Sequence, residues 1–109
     1  FCIRLKDANQ SLERAWVYHE LGRCYYQSEK FDEAYNVAKL CTEKAYEARD
    51  NEMILRSLLL LGQIEVANDT YDAAIKNFLS AKKVAEDLKD EFHLNMINQI
   101  IITLEKEEE

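Results

Sequence analysis

Proline is missing from all 109 residues, and glycine occurs only at Gly22 and Gly62. So few helix breakers, in a chain dominated by Leu, Ala, Glu and Lys, imply an all-α protein. The scarcity of glycine also rules out a phosphate-cradling loop. No stretch approaches the roughly 18 consecutive apolar residues of a membrane-spanning helix. Lys and Arg form no run, so the expectation is of no nucleic-acid partner and no membrane partner. Cys2, Cys24 and Cys41 are odd in number and lack paired spacing, which fits reduced thiols inside the cell that serve as packing residues. The opening Phe1-Cys2-Ile3-Arg4 is neither an initiating Met nor a signal peptide, as expected of a sequence cut from a longer chain.

The net charge is −7, but Glu105, Glu107, Glu108 and Glu109 sit in a terminal run, and without that run the body carries about −4. Mild acidity favours basic proteins over nucleic acids as partners.

The informative feature is internal repetition at an offset of 40. Phe31, Ala34, Ala38, Cys41, Ala45 and Ala48 step by +3 and +4 in alternation, and Tyr71, Ala74, Phe78, Ala81, Ala85 and Leu88 repeat those steps. Each series is one apolar face of a helix. Upstream, Leu21-Gly22 aligns with Leu61-Gly62. A glycine inside a helix costs about 1 kcal/mol against alanine, so its recurrence at equivalent places points to close approach of a partner helix, with Ala34 and Ala74 as the small residues opposite. Ser28-Glu29-Lys30 and Asn68-Asp69-Thr70 read as turns, and Asp50 and Asp90 as caps of the helices that follow. Stepping back by 40 from Cys41, Ala45 and Ala48 reaches Phe1, Leu5 and Ala8, which makes residues 1–8 the severed end of a preceding unit. Stepping forward from Leu61-Gly62 reaches Ile101-Ile102, where no close approach is possible. There Met96, Ile97, Ile100, Ile101 and Leu104 form a stripe suited to covering the open end of a stack.

Leu21-Gly22 with Tyr25, then Phe31, Ala34 and Cys41, resembles the tetratricopeptide pattern, and Leu61-Gly62, Tyr71, Ala74, Phe78 and Ala81 match it again. The period is 40 where that family uses about 34, the late proline is absent, and Glu65 stands where Tyr25 has its counterpart. The resemblance implies a tetratricopeptide-like solenoid of two antiparallel helix pairs with a C-terminal capping helix. Its parts within a single domain of residues 1–109 are residues 12–48, 51–88 and 91–106.

In that family the first helix of each pair lines a groove. The corresponding positions are Trp16, His19, Arg23, Tyr26 and Gln27, followed by Arg56, Leu59, Gln63, Val66 and Ala67. Trp, Tyr and Arg are the residues that most often anchor interfaces. An alternative for Trp16 and Tyr26 is packing against a preceding repeat. The Lys and Asn clamp with which some members hold an acidic chaperone tail is not reproduced, since His19, Arg23, Leu59 and Gln63 occupy the matching places.

No nucleophile-base pair, metal-ligand spacing or paired carboxylates stand out, so no catalytic, cofactor-binding or metal site is expected. His19 and Cys24 do not share a helical face, and His93 is remote in sequence from both. The run Leu12 to Tyr25, with Leu58 to Gln63, Glu65-Val66, Tyr71-Asp72, Ala74 and Asn77-Phe78, further resembles the ciliary members of the family. That resemblance implies a non-catalytic scaffold of the cytoskeleton, at the axoneme of motile cilia, which attaches dynein arms alongside coiled-coil docking subunits. An adaptor in polarity or signalling, or a regulatory domain of a larger enzyme or transcription factor, fits the same architecture.

The acidic tail lies beyond the last apolar residue and has nothing to bury. Deleting residues 105–109 is expected to leave the melting temperature within about 2 °C of the intact chain, while alanine at both Ile97 and Ile101 lowers it by far more.

Overall fold

The computed structural model describes the backbone of residues 2–108 and the side chains of residues 10–106, and among these residues there are five helices and no strand. They are α1 (Cys2–Gln27), α2 (Phe31–Ala48), α3 (Asn51–Ala67), α4 (Tyr71–Leu88) and α5 (Glu91–Glu108). Phe1 and Glu109 lie outside the described residues, as do the side chains of Leu5 and Ala8. Helices α1 and α3 stop at the polar breaks, and α3 and α5 begin after Asp50 and Asp90 as expected.

Glu29, Arg49, Asp69 and Lys89 follow the ends of α1 to α4, each with φ between 55° and 61°. At every one of these turns the left-handed residue donates back three residues and its successor donates back five. Glu29 N to Tyr26 O (3.1 Å) and Lys30 N to Tyr25 O (2.9 Å) show the pattern. This double bond set closes the last helical turn and satisfies carbonyls that would otherwise be orphaned. Glycine usually occupies such a position, and here none does. Arg49 and Lys89 place positive charge at the negative ends of α2 and α4, which offsets part of the strain. The carboxylates of Asp50 and Asp90 then accept from Met53 N (2.9 Å) and His93 N (3.1 Å), capping α3 and α5.

Turns of two or three residues leave consecutive helices antiparallel and in contact, α1 on α2, α3 on α4, with α2 on α3 and α4 on α5 between the pairs. The two ladders face inward as expected: Ala34, Ala38, Cys41 and Ala45 on α2, and Ala74, Phe78, Ala81 and Ala85 on α4, are all buried. Leu88, the last rung, is an exception at 40% exposure. Helix α3 lies between neighbours on several sides, and eleven of its 17 residues are buried. Its apolar residues fall into two groups. Met53, Leu55, Leu58 and Leu59 join the main core with Phe78 and Ile97, while Leu60, Leu61 and Ile64 pack on Ala34 and Ala38 under Tyr25, Tyr26 and Tyr35.

Three expectations are corrected. Residues 1–8 are not set apart from residues 12–27: α1 is continuous because Ala8-Asn9-Gln10-Ser11 contains neither Pro nor Gly to stop it. Cys24 is exposed and so is not a packing residue, whereas Cys41 is buried, donates to Ala15 O (3.2 Å), and is pushed up to about 12 by desolvation. Leu21 is 39% exposed, and the inward face of α1 is built by Ala15, His19 and Gly22. The glycines do accommodate close approach, but not chiefly of alanines. A Cβ at Gly62 would stand 2.8 Å from Phe78 Cζ, and one at Gly22 would stand 3.0 Å from Leu60 Cδ2, with Ala34 O at 4.0 Å. At Gly62 the three nearest atoms all belong to the Phe78 ring, not to Ala74.

In α5, Ile97, Ile101 and Leu104 are buried in the main core and Met96 and Ile100 flank them, as the stripe predicts. Gly62→Leu is expected to lose about 1–3 kcal/mol of stability, because the added side chain meets the buried Phe78 ring. Gly22→Ala is expected to be near neutral, since about 1 kcal/mol of helix propensity offsets the contact with one leucine methyl. Denaturant melts of both variants check this, and equal losses would contradict it.

Candidate functional site

The odd-numbered helices share one side of the molecule. There α1 and α3 touch, whereas the α5 backbone packs on α4 and not on α3. The resulting trough has two hollows. The first, of about 250 Å³, is lined by His19 and Arg23 of α1, Arg56, Leu59, Leu60 and Gln63 of α3, and His93 of α5. The second, of about 350 Å³, is lined by Tyr26, Gln63, Val66, Phe78, Gln99, Ile100, Thr103 and Leu104. Gln63 borders both.

Most of the groove residues named from the helical stripe therefore converge: His19, Arg23, Arg56, Leu59 and Gln63 on one hollow, Tyr26, Gln63 and Val66 on the other. Gln27 is exposed and lines neither, and Ala67 is likewise outside both. Trp16 stands at the rim. Its ring carries the Arg56 guanidinium over its face at 5.4 Å and meets the His19 ring edge-on at 6.1 Å. A cation over an indole face is attracted by the ring quadrupole, so Trp16 positions Arg56. Tyr26 meets Phe31 edge-on at 5.7 Å.

The first hollow has an unusual electrostatic character for an acidic chain. Arg23 pairs loosely with the exposed Glu20 at 3.5 Å, and Arg56 with the exposed Glu52 at 3.2 Å. His19 is 8% exposed, contrary to the expectation that its stripe faces outward. Burial pushes its pKa below the ordinary 6.5, and the nearby Arg23 and Arg56 push the same way against Glu20. His19 Nδ1 and Arg56 Nε are both buried with no hydrogen-bond partner. Across the trough His93 binds Asp90 Oδ2 through Nδ1 at 2.5 Å, and the backbone N–H of His93, followed by that ring contact, holds the Asp90 pKa down.

Two contributors were missed from the sequence. His93 lies more than 70 positions from His19 yet borders the same hollow, because α5 folds back along α4. Gln99, Ile100, Thr103 and Leu104 belong to a helix whose stripe signals core and not groove. Its +3 and +4 steps continue onto the trough side, which is the only trace visible beforehand.

Behind the trough, Glu65 is 4% exposed and accepts a hydrogen bond from Asn77 Nδ2 of α4. Desolvation raises its pKa, and the Asn77 hydrogen bond opposes the rise without cancelling it.

No family model matches the chain, and no solved structure matches it. Curated relatives do. The chain is similar to outer dynein arm-docking complex subunit 4 of Xenopus laevis, with 42% identity over 74 residues, covering 68% of this chain and 14% of that protein. It is also similar to the proteins of that name from Homo sapiens, 31% over 96 residues covering 88% of this chain and 14% of the relative, and from Danio rerio, 31% over 88 residues covering 81% and 18%. The chain thus spans less than a fifth of the length of these curated relatives.

A raised carboxyl pKa contributes stability that is fully present below the ordinary 4.5 and lost as pH rises through the folded value. Glu65→Gln, which retains an acceptor for Asn77, is expected to melt higher than the parent at neutral pH. The gap should close in acid, and a gap constant between pH 4 and pH 8 would show that ionisation of Glu65 is not its cause.

Proposed function

We propose that this chain is a segment of a tetratricopeptide-type solenoid that acts as a non-catalytic scaffold in docking outer dynein arms at the ciliary axoneme. The observation that carries this reading is sequence similarity to docking-complex subunits, 42% identity over 74 residues in one relative and 31% over 96 residues in another. Repeated turns, paired helices and a groove on one side support the solenoid. The trough is where another protein binds, in this reading a coiled-coil subunit of the same complex. Its mix of arginine, tyrosine and buried leucine suits an interface anchor set. The chemistry on view is that of binding: His93 is tied to Asp90, and burial pushes the Cys41 thiol up, away from the thiolate that a nucleophile needs.

Arg23 and Gln63 are exposed, and the Arg23–Glu20 pair is loose, so truncating them forfeits little folding stability. In the full-length protein, Arg23→Ala with Gln63→Ala is expected to weaken capture of docking-complex partners by about thirtyfold, since truncating an anchor commonly removes at least ~2 kcal/mol. The melting temperature should stay within about 2 °C of the parent. Undiminished capture by this double variant would remove the trough from partner binding. Tyr26 is a poorer probe because it also packs on Phe31.

A further inference from the structure

We propose that Trp16, His19 and Arg56 form an acid-sensitive latch between α1 and α3: a proton taken up by His19 drives the Arg56 guanidinium off the Trp16 ring and opens the rim of the first hollow, while the helices stay folded. The latch does not depend on what the trough holds.

The three side chains sit at the rim of the α1–α3 seam. Arg56 of α3 lies over the Trp16 ring at 5.4 Å, and His19, a turn further along α1, meets the same ring edge-on at 6.1 Å. Beneath them the seam is held by apolar packing, where Ala15 joins Met53, Leu55 and Leu59 in one buried cluster. The neighbouring seam between α2 and α3 is apolar as well, with Leu60, Leu61 and Ile64 on Ala34 and Ala38. Charge added at the rim therefore acts where charged groups already meet and leaves both apolar contacts in place.

The groups around His19 decide what a proton does there. The residue is 8% exposed, and its Nδ1 has no hydrogen-bond partner. From α1 it is faced by Glu20, whose Oε1 stands 3.7 Å from Nδ1, and by Arg23; from α3 it is faced by Arg56. Helix α2 packs on α1 at Ala15, and the titratable group there is the Cys41 thiol, kept neutral by burial. His93 of α5 borders the same hollow and is tied to Asp90. Burial has the largest effect and disfavours the imidazolium, and the two guanidinium groups act the same way. Glu20 favours it, but Glu20 is exposed and shared with Arg23 at 3.5 Å.

A guanidinium over an indole face at an exposed site is weakly held. Arg56 also has Glu52 at 3.2 Å, on the side away from His19 along its own helix. A new positive charge in a place sheltered from water is relieved by two changes together: Arg56 withdraws toward Glu52, and water reaches the imidazolium. Since the folded state disfavours the charged ring, the latch is closed above the ordinary histidine value of 6.5 and opens as pH falls through the lower value of the folded chain.

Trp16 is the only tryptophan and so reports on the rim alone. The test follows lifetime-corrected acrylamide quenching of Trp16, with far-UV circular dichroism of the same 109-residue chain, from roughly pH 7.5 to roughly pH 5. Trp16 is 40% exposed, so uncovering its ring should raise the quenching constant about twofold at constant helix content, with the midpoint of the His19 ring titration seen by NMR. His19→Gln, uncharged throughout, should abolish the rise. Arg23→Gln, which leaves Glu20 free to face the imidazolium, should move the midpoint to higher pH. Quenching that stays flat while His19 titrates, a rise that persists in His19→Gln, or a rise that appears only as helix content falls would overturn the latch. Should His19→Gln fail to fold, a midpoint left unmoved by Arg23→Gln overturns it equally.

Discussion

A left-handed residue every twentieth position, at Glu29, Arg49, Asp69 and Lys89, is the constraint from which the architecture follows. Each such residue reverses the chain within two or three positions, and the regular interval holds α2 to α4 at 17 or 18 residues, about 26 Å of helix. Helices of equal length joined by equal turns can only stack side by side, with alternate members on the same side. The carbonyls at each helix end are satisfied by backbone donors before any side chain is consulted, so the turns tolerate Glu, Arg, Asp and Lys alike.

That layout gives the odd and even helices different work. The even helices present small residues inward and are exposed elsewhere, while α3 is enclosed and carries most of the core. Polar side chains on its trough side therefore stand on a rigid base. Arg56 shows the consequence: a long, entropically expensive side chain is fixed by an indole face and an adjacent glutamate, so its ordering is not charged to a binding event.

Much of this is legible one residue at a time. The turns, the Asp50 and Asp90 caps, the two inward ladders and the α5 stripe all follow from spacing and local hydrogen-bond chemistry, which sequence states directly. That Trp16, His19, Arg23 and Tyr26 lie near one face also follows from helical geometry alone, and His19, Arg23 and Tyr26 border the trough. What spacing does not contain is reach. The Phe78 ring, not Ala74, fills the space over Gly62 because an aromatic side chain spans the gap from a neighbouring position on α4. His19 is buried and Cys24 exposed because the helices flanking α1 cover only part of its circumference. Where α5 would lie against the trough depended on its angle to α4, a quantity no single helix encodes.

That angle matters beyond packing. The α5 backbone packs on α4 and meets α3 only through side chains of the shared core, so the α4–α5 packing places the far wall of the trough. The stripe Ile97, Ile101 and Leu104 is buried in that core, while Ile100 and Thr103 line the trough. Substitutions along the α4–α5 seam thus set the aperture of the trough without touching any residue that lines its α1 side.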